Sequence, residues 1–155
     1  MPIPPADTPA ARSAANVVLD TNVVLDWLVF RDPSCLALDA ALRAGRLDWV
    51  ATGAMREELE QVLTREHIAT RLIDPSAPLA AWAALARVEP SPPASALRCH
   101  DPDDQKFIDL ALHLGNTVLL SRDRAVLALA RQARLHGVEI LTAADWSRRQ
   151  TGVSG

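Results

Sequence analysis

The stretch NVVLDTNVVLDWLVF (Asn16–Phe30) decides the fold. Its first five residues, NVVLD, are a β-branched apolar run without polar alternation, which is the composition of a buried parallel strand. The next ten, TNVVLDWLVF, follow without a gap and read as a helix. A buried strand that passes straight into a helix opens an α/β arrangement, and it leaves Asp20 at the strand's carboxyl end.

The alternation continues along the chain. PSCLALDAALRAG (Pro33–Gly45) has helical spacing, with proline near its start and glycine as its stop. LDWVAT (Leu47–Thr52) is a second strand, and GAMREELEQVLTREH a third helix. Residues 68–86 have helical character interrupted by DPSAP, and VEPSPPASALRCHDP is a proline-rich connection with a short strand at Arg87–Pro90. A helix within CHDPDDQKFIDLALHLG (Cys99–Gly115), the strand TVLLS (Thr117–Ser121), a helix from Asp123 to His136, the strand VEILTA and a short helix near AADWSRRQ complete the series. The pattern predicts an α/β sandwich with a mainly parallel sheet.

At 155 residues and 16.8 kDa the chain is sized for one domain with a real core. Residues 1–15 read as a disordered Pro- and Ala-rich leader, 16–150 as the domain and 151–155 as a tail. No apolar run approaches the roughly 18 residues of a membrane span, and the N-terminus lacks a signal peptide's apolar stretch. Cys35 and Cys99 form neither a disulfide framework nor a zinc knuckle, so a reducing cytoplasm is the expected setting. The net charge of −3 does not advertise nucleic-acid binding. Trp27, Trp49, Trp82 and Trp146 sit in apolar surroundings and read as core; His67, His113 and His136 read as surface.

The acids carry the functional signal. In open α/β sheets, ligands bind outside the carboxyl ends of the strands. Asp20 ends the first strand, and Asp123 follows TVLLS by two residues. On the third helix Met55, Leu59, Val62 and Leu63 form the apolar stripe; Glu58 flanks it, while Glu60 lies further off and Glu57 faces solvent. Those two neighbours leave room for a shift of register. Asp104 falls near the centre of the stripe of Phe107, Ile108 and Ala111, with Asp109 on the opposite side.

Each acid also has a plain structural reading. Asp20 and Asp123 can cap the helices they precede, and Asp101-Pro102-Asp103-Asp104 is ordinary helix-start chemistry. Four inward acids from separate segments nevertheless repel one another by roughly 4 kcal/mol per pair at about 4 Å and an effective dielectric near 20. Such a cluster binds protons or hard cations, and all-oxygen donors favour Mg²⁺ or Mn²⁺ over zinc.

At this point the chain resembles the PIN-domain nucleases, the family that includes the VapC-type toxins of toxin–antitoxin pairs. VVLDTNVVLDWLV resembles the family's first strand and helix with its Asp-Thr-Asn signature, and AMREELEQVL its second acidic helix. CHDPDDQKFIDLAL followed by TVLLSRDRAVL resembles a branch of PIN-type toxin components. The likeness covers about Val17 to Leu141.

The resemblance implies a three-layer α/β/α sandwich. It implies a Mg²⁺- or Mn²⁺-dependent endoribonuclease, holding one or two ions, with water as nucleophile. Asp20, Glu58, Asp104 and Asp123 match the acidic quartet that would be catalytic and metal-binding, and Asn22 and Ser121 the polar residues that order it. Ser121 stands where threonine is usual, and Arg122 where that branch commonly has glycine. Arg98, Lys106, Arg122 and Arg124 lie near the acids and read either as solvated surface charges or as residues that hold flanking RNA phosphates. RNA as substrate, an antitoxin as partner and a homodimer are the corresponding expectations. Two rivals stand beside this: a catalytically silent PIN scaffold that binds RNA or protein, and a haloacid-dehalogenase-like phosphatase. The second needs an Asp two residues after the first, where this chain has Asn22.

Overall fold

A computed structural model describes residues 15–154, with side chains through Gln150. The leader expected over 1–15 therefore lies outside the described residues except for Ala15, which opens the first strand. Five strands form one sheet: β1 (Ala15–Leu19), β2 (Leu47–Ala51), β3 (Ala86–Val88), β4 (Thr117–Leu120) and β5 (Val138–Leu141). Their order is β3-β2-β1-β4-β5, and every pairing is parallel. The α/β sandwich predicted from the sequence is the fold observed. Val17, Val18 and Leu19 point alternately to opposite faces of β1, yet all three are buried, so both faces of the sheet are covered.

The helices are α1 (Thr21–Leu28), α2 (Leu36–Arg43), α3 (Gly53–Val62), α4 (Glu66–Ala69), α5 (Ala77–Leu85), α6 (Gln105–Leu114), α7 (Arg124–Leu127), α8 (Ala130–Arg134) and α9 (Ala143–Ser154). Short 3₁₀ turns precede α2 (Pro33–Cys35) and α6 (Pro102–Asp104). Gly45, just past α2, adopts φ of +77°, the left-handed stop its position predicts. Met55, Leu59, Val62 and Leu63 bury the stripe read for the third helix. Three of the tryptophans stack edge-on through the core, with ring centroids 5.4 Å apart for Trp27–Trp49 and 6.3 Å for Trp49–Trp82. Among the described residues no helix is long and apolar enough to cross a membrane.

Two helices differ most from expectation. The helix expected from Asp123 to His136 is two helices, α7 and α8, hinged at Ala128–Leu129, and the second turns Ala133 inward to full burial. The expected third helix stops at Val62, and the following turn separates it from α4.

The strand order positions the site. The chain builds outward from β1 to β2 and β3, then returns through the proline-rich connection and α6 to lay β4 on the other side of β1. Order reverses between β1 and β4, and the carboxyl ends of two strands that diverge in this way leave a crevice.

Candidate metal centre

Asp20 and the Ser121-Arg122-Asp123 segment leave the sheet side by side at that crevice. The backbone N–H of Asp20 still donates to Leu120 O at 3.0 Å. The Asp20 carboxylate is buried and held at both oxygens: Oδ1 accepts from the Asn22 N–H at 3.1 Å, and Oδ2 from the Ser121 hydroxyl at 2.7 Å. The same Ser121 oxygen accepts from the Asp123 N–H at 3.0 Å, and Asp123 Oδ1 accepts from the Ala125 N–H at 2.8 Å. Fully buried, Ser121 thus stitches together acids from two strands. For Asn22 it is the backbone that orders Asp20; its side chain is exposed.

The third acid comes from the 3₁₀ turn ahead of α6. Asp101 caps this turn, its Oδ1 accepting from the Asp103 N–H at 3.0 Å. Asp104 ends the turn at 8% exposure. Its Oδ2 is buried without a hydrogen-bond partner, in contrast to the anchored oxygens of Asp20. One carboxylate oxygen from each of Asp101, Asp104 and Asp123 lies within 4.8 Å of the others.

The electrostatics follow. Burial, then the charge of Asp20 and contacts with Asp123 and Asp101, push the Asp104 carboxyl up to about 7. Burial also raises Asp20, partly offset by its bonds from Ser121 and Asn22. Among the described residues no lysine, arginine or histidine nitrogen lies within 4.0 Å of these four carboxylates, although ion pairs form elsewhere. A buried carboxylate oxygen with nothing to accept from, among three other acids and no protein cation, is the donor set of a hard divalent ion. The residues present fit Mg²⁺ or Mn²⁺.

Asp101 belongs to this group and was read from the sequence only as helix-start chemistry. It is a cap, and the spacing of a 3₁₀ turn brings a cap and the residue three positions on to one side. Glu58 stands at the rim. Of the three glutamates on α3 it is the one turned inward: Glu57 is exposed, and Glu60 pairs with Arg56 at 3.6 Å. Glu58 Oε1 accepts from the Thr21 hydroxyl at 2.8 Å and lies 3.0 Å from Lys106 Nζ. The role of Thr21 was missed; its place between Asp20 and Asn22 was the available signal.

The basic residues expected on flanking phosphates are mostly engaged by the protein. Arg122 forks onto Asp26 of α1, with Nε at 2.9 Å and Nη2 at 3.4 Å. Arg98 donates to Ser95 O at 2.6 Å, and Lys106 pairs with Glu58. Arg124 is exposed. The connection that delivers Asp101 is itself fastened. Asp109 Oδ1 accepts from the Ser95 N–H at 3.0 Å, the Ser95 hydroxyl at 2.7 Å and Gln105 Nε2 at 2.9 Å. Partial burial works against ionisation of Asp109, and these bonds overcome it, holding the carboxyl below its ordinary range.

A family model described as the PIN domain matches residues 16–125. The chain belongs to the PIN-domain family. The matched span runs from β1 into the start of α7 and includes Asp20, Glu58, Asp101, Asp104, Asp123 and Ser121. PIN domains are generally metal-dependent nucleases that use divalent ions, and the aspartate cluster of this PIN domain is compatible with that chemistry. No curated protein matches the chain.

Proposed function

We propose that this PIN domain is an endoribonuclease that hydrolyses RNA phosphodiester bonds with Mg²⁺ or Mn²⁺, and that it acts as the toxin of a toxin–antitoxin pair. The observation that carries the nuclease reading is Asp104, whose Oδ2 is buried without a partner and whose carboxylate clusters with those of Asp101 and Asp123. Asp101, Asp104 and Asp123 would hold the ion with Asp20 beside them, and Glu58 would act from the rim. When bound, the ion neutralises charge on the phosphate and makes water a competent nucleophile near neutral pH.

The chain's own residues supply positioning. The Ser121 hydroxyl fixes Asp20 and Asp123 relative to each other before any ion arrives, so little reorganisation accompanies binding. A covalent route through a side chain is disfavoured. Ser121 is fully buried with its hydroxyl committed to Asp20, and burial together with the nearby Asp104 and Asp123 charges keeps the Cys99 thiol protonated. Water, the nucleophile that the resemblance implies, fits this arrangement.

The toxin role rests on the likeness of CHDPDDQKFIDLAL and TVLLSRDRAVL to the toxin branch, with RNA as substrate and an antitoxin as partner. Cleavage of a mixed single-stranded RNA pool with added Mn²⁺, by wild type and by Asp104→Asn, tests the enzyme. Cleavage by wild type and loss in the variant support the reading; equal cleavage by both overturns the assignment of Asp104. Growth arrest on induced expression, abolished by Asp104→Asn, tests the toxin role separately.

A further inference from the structure

Lys106 is the lone lysine of the chain, and it faces the rim of the aspartate cluster. It sits in the first turn of α6, two residues after Asp104. Its Nζ is 3.0 Å from Glu58 Oε1 and also donates to Asp103 O. That Glu58 oxygen receives the Thr21 hydroxyl at 2.8 Å as well. A carboxylate oxygen has two lone pairs, so Oε1 is saturated by these two donors. Lys106 and Glu58 are both about a quarter to a third exposed at the side chain, so the pair lies where solvent screening is incomplete. The oxygens that converge within 4.8 Å belong to Asp101, Asp104 and Asp123; Glu58, like Asp20, lies outside that group.

We infer that Lys106 is a positioning residue that holds Glu58 out of the ligand set. The ammonium and the Thr21 hydroxyl fix this acid at the rim as a neutral pair, and so set how tightly the aspartates bind a divalent ion. This rests on the reading of the aspartates as the metal centre. With the pair intact, the ammonium offsets part of the Glu58 charge felt at the crevice. With the ammonium removed, its full negative charge turns toward the cluster and strengthens cation binding there.

The consequence runs against a merely structural role, because deleting a stabilising contact would then tighten binding rather than weaken it. Titration calorimetry with MnCl₂ on the full chain tests it. Lys106→Met keeps the aliphatic stem and should bind Mn²⁺ about three- to tenfold more tightly, from loss of one nearby positive charge. Lys106→Arg should match wild type. Glu58→Gln in the Lys106→Met background should return affinity to near the wild-type value, since the rim is then neutral again. Should Lys106→Met fail to fold by circular dichroism, Lys106→Gln serves with the same expectation. Binding by wild type with equal or weaker binding by Lys106→Met and Lys106→Gln overturns this inference and leaves the metal centre standing. No binding by wild type overturns the metal centre and this inference with it.

Discussion

Replacing Asp104 by asparagine stabilises the protein in the absence of metal. In the folded chain burial, with the neighbouring acids, moves the Asp104 carboxyl from 3.8 to about 7. The unfolded chain has no such environment, so its carboxyl ionises near the ordinary value. Between those two points the folded chain keeps a proton that the unfolded chain has lost. Stability therefore falls as pH rises through this window and levels off above it. At about 1.4 kcal/mol per tenfold change in proton affinity, the full penalty is about 4 kcal/mol. Solvent entering the crevice screens part of it, leaving about 2–4 kcal/mol. Asparagine has the same shape, carries no charge and can donate its amide to a neighbouring carboxylate. In EDTA at about pH 8, Asp104→Asn should gain about 2–4 kcal/mol in urea denaturation, or about 5–12 °C in Tm for a chain of this size. On acidification the gain should shrink steadily and vanish well below the ordinary carboxylate range, where wild type holds its proton in both states. Saturating Mn²⁺ should reverse the order, since binding energy stabilises only the protein that binds. A variant no more stable than wild type in chelator, or a gain that persists on acidification, refutes the account of Asp104 as an uncompensated buried charge.

Three further outcomes follow from the packing. Ser121→Ala removes the hydroxyl shared by Asp20 and the Asp123 N–H, so it should lower stability by about 1–3 kcal/mol and weaken Mn²⁺ binding in calorimetry. Asp109→Ala releases Ser95 and Gln105 together; limited proteolysis should cut the proline-rich connection faster than in wild type, with about 1–3 kcal/mol lost in urea. Gly115→Ala should cost about 1–3 kcal/mol in thermal unfolding from backbone conformation alone. Gly115 stands at φ +62°, ψ 161°, where only glycine is at ease, while an added Cβ would meet nothing within 4 Å.

The sheet was legible because its strands are buried on both faces. Runs such as NVVLD and TVLLS have no other economical reading, and their neighbours Asp20 and Asp123 were placed at the rim by topology alone. The break between α7 and α8 was not legible, because neither glycine nor proline marks it. At the site, helical phase singled out Glu58 and Asp104. Asp101 was hidden by its own adequacy as a cap. The partners of the basic residues were hidden for a different reason. Lys106 meets Glu58 48 positions away, and Arg122 meets Asp26 across 96, and no local periodicity records such encounters.

The bond from Ser121 to Asp20 spans 101 positions of the chain. During synthesis, Asp20 emerges early and can serve only as the cap of α1. The crevice does not exist until β4 has slotted against β1 and Asp123 has followed it out of the ribosome. A chain interrupted just before that point carries Asp20, Asp101 and Asp104 but lacks the hydroxyl and the last acid that complete the centre. The charge cluster that a divalent ion would neutralise is therefore assembled only when the strand leading into Ser121 has docked beside the first.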